Sequence, residues 1–249
     1  MDDAFLWIMA IGFAAQLIDG ALGMAYGITA TSFLLTIGYP PAMASALVHA
    51  AEVATSGISG LSHHLAGNVD RRLTSRLAVA GVAGGVLGAF LLASGVGDAL
   101  RPVVSGYLAI MGLLIVAKAL RRIRPPKPLR RLALLGSCGG FFDAVGGGGW
   151  GPIVTSTLVL SGNAPGRMIG SSVAAEFFMT VAVTLTFAVH LDFQSFGTAA
   201  LALVLGGLPA APLAAWLVRI MPRKPLMLVV GTLVASLGAS GVWRFLATA

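Results

Sequence analysis

Apolar residues fill ten stretches of the chain, 4–19, 25–37, 42–65, 75–94, 101–120, 132–145, 151–161, 168–189, 197–218 and 226–246. A membrane-spanning helix needs about 20 mostly apolar residues, so most of the chain is expected to lie in or against a bilayer, with no room for a separate soluble domain. The stretch 151–161 is short: its 11 residues make about 17 Å of helix at about 1.5 Å per residue, against a hydrocarbon core of about 30 Å. The pattern therefore predicts an all-α polytopic membrane protein in which some segments stop at membrane depth.

A shift of 124 positions aligns residues 12–70 with 136–194 without a gap, with more identities than composition would give. The matches fall on informative residue types: Asp19 with Asp143, Gly23 with Gly147, Gly27 with Gly151, Thr31-Ser32 with Thr155-Ser156, Pro41 with Pro165, and Ala50-Ala51-Glu52 with Ala174-Ala175-Glu176. This divides the chain into a first transmembrane repeat, 1–120, a basic linker, 121–131, and a second repeat, 132–249. Each repeat holds five helical segments, and the first two form a hairpin of short or broken helices with a Gly-rich tip. Irregular backbone survives at that depth only when buried or lining a cavity.

Charge then orients the repeats. Arg71, Arg72 and Arg76 follow the third segment of the first half, whereas 190–196 has no Lys or Arg; between the fourth and fifth segments the bias reverses, with Arg219, Arg223 and Lys224 in the second half. Opposite charge in equivalent loops is how inverted topology shows in a sequence. The linker, with seven cations from Lys118 to Arg131, is expected in the cytoplasm, and both termini outside. Only Arg101 and Arg244 of the 16 Lys and Arg disagree. The two hairpins then enter from opposite faces and meet near the midplane, where transporter repeats place substrate.

Composition agrees: 57% of residues are hydrophobic and 10% charged, against about 25% charged in globular domains. The net charge of +7 is explained by cytoplasmic loops rather than by nucleic acid. The single cysteine, Cys138, excludes an internal disulfide and a cysteine metal cluster. Met1-Asp2-Asp3 lacks a basic leader region, so the first apolar segment is expected to remain in the mature protein.

Four of the nine acidic residues, Asp19, Glu52, Asp143 and Glu176, lie inside apolar segments as two repeat-related pairs. A charge at the bilayer centre costs roughly 2.5 to 3.5 kcal/mol on insertion scales, so these groups must face a cavity, face each other or carry protons. They either cap broken helices and lock packing, or couple protonation to transport. Ser45, His49, Glu52, Ser56, Ser59 and His63 form one polar stripe at helical spacing. His49 is part of a proton relay or half a metal site, or simply hydrogen-bonds a neighbour; no residue is assigned as a metal ligand. Gly147, Gly148, Gly149, Trp150 and Gly151 before Pro152, with Thr155 and Ser156, give a sharp turn followed by a helix N-terminus that favours an anion. Gly23, Tyr26, Gly27, Thr31 and Ser32 stand at the equivalent places in the first half, and glycines of this kind also serve tight helix packing.

At these residues the sequence resembles the TauE/SafE sulfite exporter family. The Gly-rich hairpin of each half, the two-half organisation and the stretch Gly60-Leu61-Ser62-His63-His64-Leu65-Ala66-Gly67-Asn68-Val69-Asp70 carry the resemblance, although Met24, Ala25 and Ile28 depart from its pattern. It implies a secondary transporter of sulfite, an organosulfonate such as sulfoacetate, or a related small anion, in the cytoplasmic membrane and without a cofactor. On this reading the anion sits at the tips, and Glu52 and Glu176 exchange protons. An alternative reverses the sign, with the four carboxyls and His49 holding a hard or borderline cation. A third treats Asp19 and Asp143 as the dyad of an intramembrane aspartyl protease.

Overall fold

The computed structural model describes residues 3–22, 24–94, 101–120, 131–161, 163–191, 193–220 and 223–248. Gly23, Asp98 and the linker 121–130 lie outside them, as do the side chains of Arg101, Arg219 and Arg223. The described residues form helices throughout: α1 Asp3–Leu22, α2 Tyr26–Thr36, α3 Pro41–Leu65, α4 Arg71–Ala93, α5 Arg101–Ala119, α6 Leu132–Gly146, α7 Ser156–Leu160, α8 Pro165–His190, α9 Phe193–Ile220 and α10 Arg223–Thr248. A π-helical turn, Gly151–Thr155, runs directly into α7. The helix ends have local causes. Pro41 and Pro165 start α3 and α8, where a missing N–H costs nothing. Asp70 caps α4 by accepting from the N–H groups of Arg72 at 3.0 Å and Leu73 at 3.1 Å.

Among the described residues four helices are long and apolar enough to cross a membrane, Arg71–Ala93, Pro102–Ala119, Gly166–His190 and Met227–Ala247. Trp7, Val79, Val189 and Trp243 are largely exposed on the outside of the bundle, an arrangement suited to lipid. This is an all-α polytopic membrane protein. The second element of each half is short, as its sequence required: α2 has 11 residues, about 17 Å at about 1.5 Å per residue.

Helix pairing follows an exchange of the two halves. α4 packs on α6 and α9 on α1; α4 touches α8 and α9 touches α3; α3 packs on α8 and α5 on α10. Exchanging the first five segments for the last five turns α4–α6 into α9–α1 and α4–α8 into α9–α3, and leaves α3–α8 and α5–α10 unchanged. Small residues let these backbones approach. Gly84 faces the Ser137 carbonyl and Gly140 the Gly81 carbonyl in the α4–α6 pair, Gly12 faces the Leu203 carbonyl and Gly206 the Met9 carbonyl in the α1–α9 pair, and Gly112 meets Gly231 between α5 and α10. The pairs leave α3, α8 and the two hairpin tips at the centre.

Candidate functional site

A helix that begins inside a packed bundle has N–H groups with no partner in its own first turn. Both hairpins answer this need in the same way. Asp19 Oδ1 accepts from the N–H of Ala25 at 2.7 Å and of Tyr26 at 3.1 Å. Asp143 Oδ1 accepts from the N–H of Gly149 and, at 2.7 Å, from that of Trp150. Each carboxyl thus reaches six and seven residues along the chain and sits at the positive end of the second helix. Amides that the sequence pattern offers to an anion are held here by the hairpins' own aspartates.

The two tips touch. Thr31 donates its hydroxyl to the Gly147 carbonyl at 2.6 Å, and Gly27 lies directly against Gly148. Gly147, at φ 64°, ends α6 in the left-handed region, and Gly148 follows at φ 151°, so the turn needs glycine on geometry as well as on space. Trp150 is fully buried and its Nε1–H donates to the Ser172 carbonyl at 3.2 Å and hydroxyl at 3.1 Å, which ties the tip to α8. Tyr107 of α5 donates to the Gly148 carbonyl at 3.2 Å.

Beside the tips lies a cavity of about 280 Å³. Asp19, Glu52, Asp143 and Glu176 all line it, together with Tyr26, Gly27, Gly148, Gly149, Gly151 and Thr155. No Lys or Arg is among its described lining residues. Glu52 Oε2 is buried there without a hydrogen-bond partner. The lining continues down α3 through Ser56 and Ser59 to His63, close to the helix end at Leu65. That end of the bundle gathers cations: Arg72, Arg76 and Arg167 surround Asp70 in a separate hollow, with Arg167 3.5 Å from the Asp70 carboxylate.

His49 is fully buried next to the tips and is not among the described residues that line the cavity. Its Nδ1 stands 2.8 Å from the Ser45 carbonyl, and its Nε2 2.9 Å from Asp143 Oδ2. A carbonyl only accepts, so Nδ1 carries a hydrogen. His49, Glu52 and Asp143 each offer an atom within 4.8 Å of the others, the outline of a cation cluster. The His49 to Asp143 contact is nonetheless complete as a hydrogen bond.

The family model described as sulfite exporter TauE/SafE matches residues 8–241. The chain belongs to the sulfite exporter TauE/SafE family. It is also 41% identical over 218 residues to the probable membrane transporter protein YtnM of Bacillus subtilis (strain 168), covering 84% of this chain and 73% of that protein. No solved structure matches the chain. The fold, the family and this relative make the molecule a membrane transporter.

In this TauE/SafE protein the four carboxyls from apolar segments come together at one cavity, and the polar stripe on α3 divides. Glu52, Ser56, Ser59 and His63 face the cavity, whereas Ser45 and His49 are buried against the second hairpin, Ser45 donating to the Ala144 carbonyl at 2.5 Å. The neighbour that holds His49 is Asp143 across the repeat boundary rather than Glu52 on its own helix. Of the Ser and Thr hydroxyls expected to meet substrate only Thr155 is among the described lining residues, where Tyr26 joins it. Thr31 bonds the opposite tip, Ser32 donates to the Ile28 carbonyl at 2.6 Å, and Ser156 donates to the Pro152 carbonyl, the bond to a carbonyl four residues back that helical serines favour. Gly23 is outside the described residues. Sequence reasoning missed Gln16, Ile169 and Val173 in the lining. It also missed Lys118, whose ammonium donates to the Pro152 carbonyl and the Ser156 hydroxyl. Its placement at the start of the basic linker hid that role.

Proposed function

We propose that this TauE/SafE protein carries a small anion, sulfite, an organosulfonate such as sulfoacetate, or a related species, across the cytoplasmic membrane by alternating access coupled to protons. The observation behind the proposal is the single cavity bounded by both hairpin tips and by the repeat-related pair Glu52 and Glu176. Its volume, about 280 Å³, suits an ion of a few heavy atoms with some water, and falls just below the roughly 300–1,000 Å³ of pockets for drug-sized ligands. With the basic helix ends in the cytoplasm, the cavity opens inward, and Arg72, Arg76 and Arg167 raise the local concentration of anions at that face. The exchange pattern of helix pairs supports two symmetry-related repeats, and the placement of Lys and Arg supports their inversion with both termini outside.

The carboxyls dictate the coupling. Two like charges about 4 Å apart repel by about 4 kcal/mol at an effective dielectric of about 20. An anion therefore enters this cavity together with protons on the carboxyls, and its binding weakens as pH rises. The absence of Lys and Arg among the described lining residues favours a second reading, in which the carboxyls remain ionised and the cavity takes a cation.

Thermal unfolding in detergent across sulfite, sulfoacetate, small carboxylates and divalent cations separates the two. A ligand at about 100 times its Kd stabilises the native state by about 2.7 kcal/mol. Stabilisation by a sulfur anion, greater in acid and lost when Gly148 is replaced by alanine, is expected. Stabilisation by divalent cations alone, lost in Glu52→Gln, establishes the cation reading instead.

A further inference from the structure

We infer that His49 and Asp143 form a proton-carrying latch that keeps the far side of the transporter closed, a deeper account of the site that rests on the alternating-access reading above. Two observations carry it: the hydrogen count of the His49 to Asp143 contact, and a difference between the two sides of the hairpin tips.

The hydrogen count comes first. With Nδ1–H committed to the Ser45 carbonyl, Nε2 of a neutral His49 is a bare lone pair. Asp143 Oδ1 already accepts two N–H bonds, and Oδ2 faces that Nε2 at 2.9 Å. One proton must lie on this line, either as imidazolium with carboxylate or as neutral imidazole with carboxylic acid. In both forms the pair has zero net charge. Loss of the proton to water leaves a net charge of −1 and two lone pairs face to face, in a place where the side chains are 0% and 2% exposed. Burying such a charge without a partner is costly, so the contact opens.

The two sides of the tips differ in a way that shows what the contact holds. The 124-residue shift maps the open lining residues Thr55, Ser59 and His63 onto Met179, Val183 and Phe187, and Val173 onto His49. Met179, Val183, Phe187 and His49 are all fully buried. Polar residues thus line the open side, whereas of their apolar counterparts Met179 and Val183 pack on Gly81 and Gly85 of α4, and the Phe187 ring centroid lies 6.3 Å from that of His49, so that together they plug the closed side. On the open side the counterparts of this pair are Asp19 and Val173, and a valine has no group to share a proton. On the closed side Asp143 faces His49, and one proton bridges them. The latch joins α3 of the first half to the hairpin of the second, and the plug lies against it.

The other titratable groups facing the pair are Glu52 on α3, Glu176 on α8 and Tyr107 on α5, with Asp19 on α1 and Tyr26 on α2 one step further, beside Glu52. Apart from His49 these groups are acids, so each ionised neighbour adds to the repulsion that follows deprotonation. The latched state holds one more proton than the opened state. The opened fraction therefore rises up to about tenfold per pH unit across the titration.

The test uses a chain with Cys138→Ser and Val183→Cys in lipid nanodiscs, labelled with a small water-soluble maleimide across a pH series from about 5 to 8. His49→Gln keeps an N–H donor toward Asp143 at every pH, so the ratio of the parent rate to the His49→Gln rate cancels the thiol's own ionisation. The ratio is expected to rise by about tenfold or more toward alkaline pH, with His49→Ala labelling fast throughout. A flat ratio overturns the latch. Imidazole nitrogen resonances of His49 give a second check that does not depend on the cysteine variant, and a neutral ring protonated only at Nε2 also overturns it. Flux on the same chain separates this inference from the substrate proposal. Anion flux with a flat ratio leaves the carrier and removes the latch, whereas a rising ratio without anion flux keeps the latch and removes the substrate.

Discussion

Asp143→Ala lowers the unfolding free energy of the protein by about 3–5 kcal/mol and abolishes transport, while Asp143→Asn costs about 1 kcal/mol or less and leaves a folded protein whose gating no longer depends on pH. The contrast follows from the partners of one side chain. Asp143 satisfies two backbone N–H groups at the second tip and holds the proton shared with His49. Alanine strands both donors in a buried site, each at about 1–3 kcal/mol, and leaves His49 facing a void. Asparagine keeps an oxygen for the two N–H groups and presents an N–H₂ to the Nε2 lone pair of a neutral His49, so every bond has a donor and an acceptor. What asparagine removes is the proton. Chemical unfolding of both variants in mixed micelles reads the first effect and the cysteine-labelling ratio the second. Native-like stability in Asp143→Ala contradicts the role given to this residue.

Gly27→Ala is the second large effect, with a loss of about 1–3 kcal/mol in stability and of about tenfold or more in flux, by the sensitivity of a preorganised site to ångström displacements. A methyl group at Gly27 would lie 2.7 Å from Gly148 Cα, 2.8 Å from the Gly147 carbonyl oxygen and 3.0 Å from Glu52 Oε1. Carbon atoms rest at about 3.5–4.0 Å, and the first two neighbours are backbone atoms of the other tip, which have no rotamer to change. The tips must separate, and the cavity wall moves with them. Gly106 on α5 is the control, because a methyl group there meets only Val242 Cγ2 at 3.9 Å. Gly106→Ala is expected to gain up to about 1 kcal/mol from the reduced freedom of the unfolded chain, with flux unchanged.

Much of this architecture is legible in the linear sequence because apolar length and charge placement are local properties. The helices begin and end within a few residues of the apolar stretches, and the short second segment of each half follows from its length alone. The carboxyl pairs are legible because burial of an acid is rare enough to require a cavity. The role of the aspartates is harder to read. Asp19 and Asp143 cap from six and seven residues upstream across a turn, whereas a scan for caps looks at the residue adjoining the helix. The partner of His49 is 94 residues away, and nothing in the local pattern around His49 points to it. The repeat alignment does hold one clue, since His49 stands opposite Val173, and the open and closed sides diverge at that position. The helical hydroxyls Ser32 and Ser156 misled for a physical reason, because a serine in a helix satisfies itself on its own backbone before it meets a ligand.

The most direct test of the central claim is flux of labelled sulfoacetate into proteoliposomes, with wild-type protein beside the Glu52→Gln/Glu176→Gln variant. The charge of sulfoacetate stays constant from about pH 6 to 8, well above the usual carboxyl range, so any pH dependence belongs to the protein. Flux that falls as pH rises in the wild type, and that is lost or made independent of pH in the double variant, is the predicted result. Flux and pH profile unchanged by the double variant, or movement of divalent cations with no movement of sulfite or sulfoacetate, contradicts it.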